Sequence, residues 1–494
     1  MPPSRFLAFD IGAESGRAIV GTLEGGRLSL EEIHRFPNEP VEVRGTMYWD
    51  VLSLHNNVLK GLGAYVRRFG GSVDGIGIDT WGVDFGLLAR DGALLQNPVH
   101  YRDRRTAGMA DRVLRKIPPE KLFERSGQPL SPIQTLCQVL SLRLSKNPVL
   151  DSAATFLMMP DLFAYFLTDV RRCERTSAAV TQLYDVPAGQ WSDEVFRVFD
   201  LPRSIMPEIV DSGTVLGELN ESVKRGCGLS NAVVIAPCTY DTASAVAAVP
   251  GQGEGWAFIS SGTWSIVGAM TERPVMSAEA YAAGLRNELT LEGFFLCHNI
   301  MGLGILQQAR SSWARQGETH SYTELAQLAE KAEAGGPLIC VDDPGFLAPT
   351  DMVAAIRDYC ERTGQRPPEG PAAVTRCILE SLACSYRFTL DALGRILGRR
   401  FEVLHIVGGG SLNTLLCQLT ADITALRVVA GPSEAAACGN VLVQAMSRGA
   451  VGSAQEIRDV VRKSSVLVEY TPRNAPPSQE LYLRHLGLQA RTKK

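Results

Sequence analysis

The chain alternates short apolar runs with polar turns that contain glycine. Residues 5–21 hold two apolar runs on either side of a turn with Gly12 and Gly16. Runs this short, the second rich in β-branched side chains, favour strands over a helix. Residues 256–268 repeat the order of strand, turn and strand, with Gly262 in the turn. The pattern predicts two β-hairpins in matching places, which suggests two domains built alike with a ligand between them.

Two other stretches lead from a buried strand into a helix. In residues 233–246 an apolar strand stops at Pro237, and a helix of small residues starts near Asp241. Residues 404–416 run from an apolar strand through three consecutive glycines into a helix. Such a turn can bring bare backbone against a flat ring or a phosphate. A further small-residue helix, after residue 435, could pack behind this glycine turn.

Composition narrows the class of protein. With 494 residues, of which 45% are hydrophobic and 21% charged, the chain is typical of a globular protein with more than one domain. The length predicts two or three domains. The net charge of −4 gives no reason to expect nucleic acid as a partner. No apolar run approaches the roughly 18 residues that a membrane helix needs, so no membrane partner is expected.

The cysteines and the N-terminal residues indicate the cellular compartment of the protein. The eleven cysteines form no CxxC pair, which favours reduced, packed thiols. Cys360 and Cys377 flank a stretch rich in proline and glycine and could pair if oxidised, but we expect them to stay unlinked. The chain starts without a charged segment followed by a long apolar core, so no signal peptide is predicted. We therefore expect a cytoplasmic protein.

Asp241 is the first candidate for catalysis. A helix start keeps a carboxylate ionised through its partial positive charge and its free N–H groups. An ionised carboxylate in a cleft can take a proton from a substrate hydroxyl. Asp is also a favoured N-cap residue, so a purely structural role stays open at this point.

The turn of the first predicted hairpin is a candidate phosphate site. Its backbone N–H groups can wrap phosphate oxygens, and Ser15 and Arg17 add donors. Asp10, at the end of the first strand, could hold the water shell of a magnesium ion, because that ion keeps several waters in proteins. The alternative is a plain β-hairpin without a ligand.

A polar and aromatic loop follows the strand predicted within residues 73–85. Trp81 could stack on the apolar face of a sugar, and Gly82 would let the backbone approach closely. Asp79 and Asp84 could accept protons from hydroxyl groups. The alternative is an aromatic side chain packed in a turn.

Taken together and in this order, the motifs resemble those of the FGGY carbohydrate kinases, which share the plan of the actin-like ATPases. The resemblance covers nearly the whole chain, and its co-occurring segments are highly specific. They are residues 32–36 (EIHRF), 49–51 (WDV), 77–85 (GIDTWGVDF), 101–103 (YRD), 159–161 (MPD), 241–246 (DTASAV), 260–265 (SSGTWS), 299–303 (NIMGL) and 407–410 (VGGG).

The resemblance implies a fold and a reaction. The fold would be two actin-like, ribonuclease H-like α/β domains, with mixed sheets flanked by helices and a cleft between them. The reaction would be phosphorylation of the 1-hydroxyl of L-rhamnulose by ATP and Mg²⁺ in rhamnose breakdown. Residues 1–248 would bind the sugar and supply the base, and residues 249–494 would bind the nucleotide.

The resemblance also implies the site residues. Asp241 would be the general base. The ATP contacts would be Ala13, Glu14, Ser15, Gly16, Arg17, Thr263, Gln307 and Gly409, and the sugar contacts would be Gly82, Tyr240, Asp241, Thr242 and Asn299.

Two positions depart from the family pattern. Tyr240 stands where the family usually has His, so one sugar contact changes type. Glu14 stands where Ser is common, and an extra anion beside phosphates would repel them unless it points away. Two alternatives therefore stay open: an FGGY kinase for another ketose or polyol, such as fuculose, ribulose, xylulose or glycerol, and a non-catalytic actin-like nucleotide-binding protein. We expect a monomer or a small homo-oligomer.

Overall fold

The computed structural model describes residues 3–347, 349–473 and 476–492. The strands are β1 Ser4–Ile11, β2 Ser15–Glu24, β3 Arg27–Pro37, β4 Pro40–Val43, β5 Thr46–Trp49, β6 Gly75–Thr80, β7 Phe85–Leu88, β8 Thr155–Met158, β9 Arg172–Glu174, β10 Tyr184–Asp185, β11 Gln190–Trp191, β12 Glu208–Val210, β13 Val215–Glu218, β14 Val233–Ile235, β15 Trp256–Ser261, β16 Trp264–Thr271, β17 Arg286–Leu289, β18 Phe294–Met301, β19 Val403–Val407, β20 Arg427–Ala430 and β21 Val468–Tyr470.

The α-helices are α1 Val51–Phe69, α2 Met109–Leu114, α3 Pro119–Ser126, α4 Thr135–Leu144, α5 Pro148–Ser152, α6 Met159–Thr168, α7 Arg175–Ala179, α8 Asp193–Phe199, α9 Glu221–Cys227, α10 Asp241–Ala247, α11 Ala278–Ala282, α12 Gly304–Arg315, α13 Tyr322–Lys331, α14 Met352–Arg362, α15 Gly370–Leu397, α16 Thr414–Thr424, α17 Ala435–Ser447, α18 Ala454–Ser464 and α19 Pro476–Thr492. Short 3-10 helices cover Arg104–Thr106, Arg203–Ile205, Pro344–Phe346 and Gly409–Leu412.

The chain forms two compact units that are not continuous in sequence. The first unit contains the chain as far as Ala248, together with Thr271–Leu296 and Ala435–Ser464. The second contains Val249–Met270, Cys297–Glu434 and the chain from Ser465 onward. The two later segments of the first unit carry no local mark in the sequence that separates them from their neighbours.

The sheet of the first unit has the order β13-β14-β6-β1-β2-β3 and mixes parallel with antiparallel pairs. Alternate side chains of β1 point to opposite faces, as in any strand. Leu7 and Phe9 belong to a core shared with α1 and α6, whereas Phe6 and Ala8 belong to one shared with α10, α17 and α18. Because both faces are covered by helices, β1 is buried along nearly its whole length.

The second large sheet has the order β17-β18-β16-β15-β19-β20-β21. β15 pairs antiparallel with β16 and parallel with β19. The long helix α15 is linked to this sheet by the hydroxyl groups of Ser265 and Tyr386, whose oxygens lie 2.8 Å apart. The mixed sheets flanked by helices that the family resemblance implies are therefore present.

The predicted local elements are confirmed. Both hairpins are present as β1–β2 and β15–β16, and both strand-to-helix stretches are present as β14 to α10 and β19 to α16. The sequence predicts that the small-residue helix after residue 435 packs behind the glycine turn, whereas in the structure this helix, α17, packs against α10. This helix lies in the first unit, where a side chain at Gly439 would collide with the carbonyl oxygen of Ser244 on α10. Its small residues therefore serve close contact with α10.

Cys360 and Cys377 are buried thiols that are not joined by a disulfide. Within the described parts of the chain, no helix combines the length and the apolar character that a membrane crossing requires.

Candidate active site

Asp241 is the first residue of α10, directly after the N-cap residue Tyr240. Its Oδ1 accepts hydrogen bonds from the backbone N–H of Thr242 at 2.6 Å and from the Thr242 hydroxyl at 3.3 Å. The N-cap role that the sequence left open for Asp241 therefore falls to Tyr240. As a whole residue, Asp241 is partly exposed at the helix start.

Carboxyl groups gather around the end of β1. In the parallel register of β1 and β6, Asp10 lies beside Asp79. Burial raises the pKa of Asp241 to about 7, and the negative charge of Asp10 adds to the rise. Burial also raises the pKa of Asp79 well above its usual range, with a contribution from Asp10. A carboxyl group with a pKa near neutrality can exchange a proton with a substrate at physiological pH.

The charges around these carboxyl groups are only partly balanced. Arg17 Nη2 donates to Asp10 Oδ2 at 2.5 Å. Asp79 Oδ2 accepts from Asn440 Nδ2 at 2.5 Å, while its Oδ1 is buried without a hydrogen-bond partner in the described structure. A Mg²⁺ ion in a protein takes oxygen ligands, commonly one or two carboxyl groups, and keeps several waters. The carboxyl groups of Asp10 and Asp79 therefore fit a magnesium site. The sequence pointed to Asp10 for this role, and its place beside Asp79 is compatible with that role.

The predicted sugar contacts Gly82, Tyr240 and Thr242 lie in the same unit as Asp241. A side chain at Gly82 would come within 3.3 Å of Tyr240 Cε2 and 3.1 Å of Val180 Cγ2. The missing Cβ at Gly82 therefore leaves room for the Tyr240 ring. Burial, followed by the charges of Glu288 and Asp241, raises the pKa of the Tyr240 phenol well above its usual value, so the hydroxyl stays protonated.

Trp81 and Asp84 do not serve the role that the sequence suggested. The Trp81 side chain is 6% exposed and packs against Trp49, with ring centroids 4.2 Å apart. Asp84 is fully buried and accepts hydrogen bonds from both indole N–H groups, at 2.6 and 2.9 Å, and from Gln138 Nε2 at 2.9 Å. Every oxygen of Asp84 is thus occupied, and these residues form a structural cluster beneath the Gly82 loop.

The turn between β1 and β2 is closed by its own backbone, because the N–H of Gly12 is used inside the turn. Gly12 N–H donates to the carbonyl of Ser15 at 2.9 Å, and Asn38 Nδ2 donates to the carbonyl of Gly12 at 2.8 Å. Ala13 is partly exposed, and the Glu14 side chain is exposed. A side chain at Gly16 would collide with the ring of Phe36, so this glycine has a packing reason as well as a conceivable ligand role.

Two of the predicted ATP contacts, Thr263 and Gln307, lie next to each other in the second unit. Thr263 Oγ1 donates to Gln307 Oε1 at 3.1 Å. The carbonyl of Thr263 accepts from the backbone N–H groups of Gly302 and Gly304, at 3.1 and 3.0 Å. These bonds fix the turn of β15–β16 against the start of α12.

The three glycines after β19 have different reasons to be glycine. Gly408 has φ +82°, and a side chain there would come within 2.9 Å of the carbonyl oxygen of Ser261. A side chain at Gly410 would collide with the Ser261 side chain. Gly409 alone faces open space and is exposed. Two of the three are therefore explained by strand packing, and only Gly409 offers bare backbone to a ligand.

Asn299 lies in β18 of the second unit and is partly buried. Its Oδ1 is buried and has no hydrogen-bond partner in the described part of the chain. A buried amide oxygen usually has a partner, so Asn299 keeps capacity to accept a hydrogen bond from a ligand.

Sequence reasoning missed two carboxylates that act on the Asp241 region. Glu288, on β17, is fully buried, and its charge contributes to the raised pKa of Asp241. Glu174, at the end of β9, accepts hydrogen bonds from Thr239, two residues before Asp241. Neither position has a local motif that could have marked it, because both reach Asp241 only through the tertiary fold.

Two family models match the chain. The N-terminal domain of the FGGY family of carbohydrate kinases matches residues 5–248, and its C-terminal domain matches residues 257–448.

Relatives named rhamnulokinase match along nearly the full length. The protein of Bacteroides thetaiotaomicron is 40% identical, covering 97% of this chain and 98% of its own length. That of Enterococcus faecalis is 38% identical, covering 93% of this chain and 92% of its own. That of Pectobacterium carotovorum is 37% identical, covering 96% and 94%.

Solved structures share the fold at low sequence identity. Gluconate kinase from Lactobacillus acidophilus superposes with a TM-score of 0.79 at 14% identity, covering 99% of this chain and 98% of its own. Xylulose kinase from Rhodospirillum rubrum gives 0.78 at 18% identity, with the same coverage. The fold, the two matching family models and the full-length relatives agree, and the chain belongs to the FGGY family of carbohydrate kinases.

Proposed function

We propose that this carbohydrate kinase transfers the γ-phosphoryl group of ATP to the 1-hydroxyl of L-rhamnulose, with Asp241 as the general base. Carbohydrate kinases of this family use ATP. The sugar is proposed because relatives of 37 to 40% identity over almost the whole chain are named rhamnulokinase. A place in rhamnose breakdown follows from that substrate.

The observation that carries the catalytic part of the proposal is the environment of Asp241. Its pKa of about 7 leaves a large fraction of the carboxylate ionised at neutral pH, yet basic enough to take a proton. The hydrogen bonds from Thr242 hold one carboxylate oxygen, Oδ1, and we assign the other oxygen, Oδ2, to the substrate hydroxyl. Phosphoryl transfer depends mainly on positioning and charge stabilisation, so one oriented base is sufficient protein chemistry at the acceptor.

The magnesium ion is proposed to be held through water by Asp10, with Asp79 next to it. No group of three or more His, Cys, Asp or Glu side chains arranged to hold a metal ion occurs among the described residues, which favours an ion that keeps most of its water. When bound, Mg²⁺ neutralises charge on the phosphate oxygens. Arg17, paired with Asp10, keeps the carboxylate oriented without removing its charge.

The nucleotide contacts are proposed at the turn of residues 13–17 and, in the second unit, at Thr263, Gln307 and Gly409. The open space above Gly409 and the hydroxyl of Thr263 support this assignment. The sugar contacts are proposed at Gly82, Tyr240, Thr242 and Asn299. The protonated phenol of Tyr240 can donate or accept a hydrogen bond where a histidine would do the same.

An acceptor screen tests the substrate. The purified protein is incubated with ATP and Mg²⁺ and with L-rhamnulose, L-fuculose, ribulose, xylulose or glycerol, and the phosphorylated carbon is located by NMR. We expect the largest kcat/KM for L-rhamnulose, with phosphate on carbon 1. Preference for another acceptor would refute the assigned sugar and leave the kinase assignment intact.

Asp241→Asn tests the base. The variant is expected to bind ATP normally and to lose about 10²–10⁴-fold in sugar phosphorylation, the usual contribution of a positioned base. Asp74→Asn is the matched control, because Asp74 is an exposed carboxylate of the same unit that accepts a hydrogen bond from the Arg5 backbone at 2.7 Å. Near-normal turnover of Asp241→Asn would contradict the role of this residue.

A further inference from the structure

Glu174 is a fully buried carboxylate that joins two segments distant in sequence. Its Oε2 accepts from the backbone N–H and the hydroxyl of Thr176, at 3.0 and 2.5 Å, and from those of Thr239, at 3.1 and 2.8 Å. Ser177 N–H adds a longer bond of 3.4 Å. Its Oε1 accepts from the hydroxyl of Ser212 at 2.6 Å. One carboxylate thus caps α7 and fixes Thr239.

Thr239 immediately precedes the N-cap of the helix that carries Asp241. Its carbonyl accepts from Thr80 N–H at 2.9 Å, and its hydroxyl lies 2.7 Å from the hydroxyl of Ser177. The next residue, Tyr240, donates its backbone N–H to the Thr176 hydroxyl at 3.3 Å. The segment that leads into α10 is therefore bound on one side to β6 and on the other to the α7 network around Glu174.

The hydrogen-bond partners of Glu174 all lie in α7, on the segment next to α10 or on the Ser212 loop. No ion pair to Glu174 occurs in the described structure, and its side chain is held by hydrogen bonds from N–H and O–H groups. A buried carboxylate that lost these donors would be strongly destabilised. The donors are consequently held in one arrangement, and the backbone of Thr239 and Tyr240 is held with them.

We propose that Glu174 is a positioning residue for phosphoryl transfer, which sets the orientation of the α10 start and so of the Asp241 carboxylate. The inference rests on the proposed role of Asp241 as the base. It assigns a part in the reaction to a carboxylate that does not itself touch substrate. A displacement of about 1 Å in a reacting group can cost about 100-fold in rate, so small changes at Glu174 should appear in turnover.

Glu174→Asp is the main test, because it shortens the side chain by one methylene group and withdraws the carboxylate from Thr239 or from α7. We expect kcat for sugar phosphorylation to fall about 100-fold, with KM for ATP within about threefold of the wild type. Glu174→Gln keeps the side-chain length and one acceptor oxygen, and is expected to retain about ten times more activity than Glu174→Asp.

Glu380→Asp is the matched control for lost stability. Glu380 is also fully buried, accepts from Arg376 Nε at 2.6 Å and from Gly335 N–H at 3.2 Å, and lies in the second unit. Both Glu-to-Asp variants should lower Tm, but only Glu174→Asp should lower kcat. A kcat for Glu174→Asp within threefold of the wild type, or an equal loss in Glu380→Asp, overturns the inference.

A second pair of variants covers the case in which Glu174→Asp does not fold. Thr239→Val removes the hydroxyl that binds Glu174, and Thr239→Ser keeps it. We expect Thr239→Val to lose at least tenfold in kcat and Thr239→Ser to stay close to the wild type; equal activity of the two overturns the inference. Asp241→Asn, assayed in parallel, separates the two claims, because its full activity would overturn the proposed base, whereas its loss with active Glu174 variants would overturn only the positioning role.

Discussion

The hairpin β1–β2 of the first unit and the hairpin β15–β16 of the second share one plan. In each, the first strand pairs antiparallel with the second and parallel with a later strand, which is β6 in one case and β19 in the other. A short turn with a glycine backbone joins the strands in both, and a glycine-containing loop follows the parallel strand. The backbone frames are thus alike.

The side chains on the two frames differ in charge. Asp10 and Asp79 occupy paired positions at the ends of β1 and β6, and Arg17 lies opposite Asp10 on β2. The matching region of the second unit presents hydroxyl groups instead, among them Ser261 and Thr263. The comparison shows that the same backbone arrangement can be adapted to different chemistry by a few side chains. The charged side chains on β1–β2 and β6 suit metal and proton chemistry. The hydroxyl groups on β15–β16 suit hydrogen bonding to a nucleotide.

Removing charge from the hairpin β1–β2 should lower activity more than any change in the hairpin β15–β16. Asp10→Asn is expected to lower kcat about 100-fold and to raise the Mg²⁺ concentration needed for half-maximal activity, because it removes a carboxylate proposed to orient the hydrated ion. The measurement is a Mg²⁺ titration of sugar phosphorylation, with Asp74→Asn as the control. An unchanged Mg²⁺ requirement would show that the charged hairpin has no metal role.

The second largest effect is expected in the pH dependence of sugar phosphorylation, which should respond to the first hairpin region and not to the second unit. Because the pKa of Asp241 is raised to about 7, its carboxylate becomes protonated as the pH falls through that value, and kcat/KM for the sugar should fall with it. Glu288→Gln removes a like charge that raises this pKa, so the rising limb should move to lower pH. Glu402→Gln, at an exposed carboxylate of the second unit, should leave the limb in place.

The Glu288 experiment needs a separate stability measurement, because Arg286 Nε donates to Glu288 Oε1 at 3.2 Å and would lose a charged partner. A lower Tm with an unchanged pH limb would assign Glu288 to structure alone. A limb displaced to higher pH would contradict the sign expected from a like charge.

The smallest effect is expected in the neutral hairpin. Thr263→Val removes the hydroxyl that donates to Gln307 and should raise KM for ATP by about fivefold, in line with the ~1 kcal/mol of a neutral hydrogen bond, while kcat changes little. Thr271→Val is the matched control at the end of the same strand β16, because the Thr271 hydroxyl is buried without a hydrogen-bond partner in the described structure. Equal KM values for the two variants would remove Thr263 from the nucleotide site.

Local sequence patterns predicted the scaffold well. Short β-branched runs around Gly12 and Gly262 gave both hairpins, and the stop at Pro237 gave the start of α10 within a few residues. These signals are local, because strand period, turn chemistry and helix starts depend on neighbours along the chain. The candidate base Asp241 could be selected for the same reason, since its position at a helix start is visible in the sequence.

Other assignments failed or were absent because they depend on contacts between distant segments. Trp81 and Asp84 looked like ligand groups in the sequence, but Trp49 and Gln138 reach them from other elements and complete a buried cluster. The glycines on either side of Gly409 looked like ligand contacts, yet strand packing explains them.

The sequence by itself determined the two hairpins, the two strand-to-helix stretches, the candidate base and the family to which the chain belongs. Only the tertiary structure decided that Glu174 and Glu288 act on the Asp241 region, that Asp79 lies beside Asp10, and that α17 returns to the first unit. The physical reason is that burial and charge interactions depend on distance in space. A carboxylate far along the chain can alter a pKa or hold a helix start without leaving any periodic mark in the sequence.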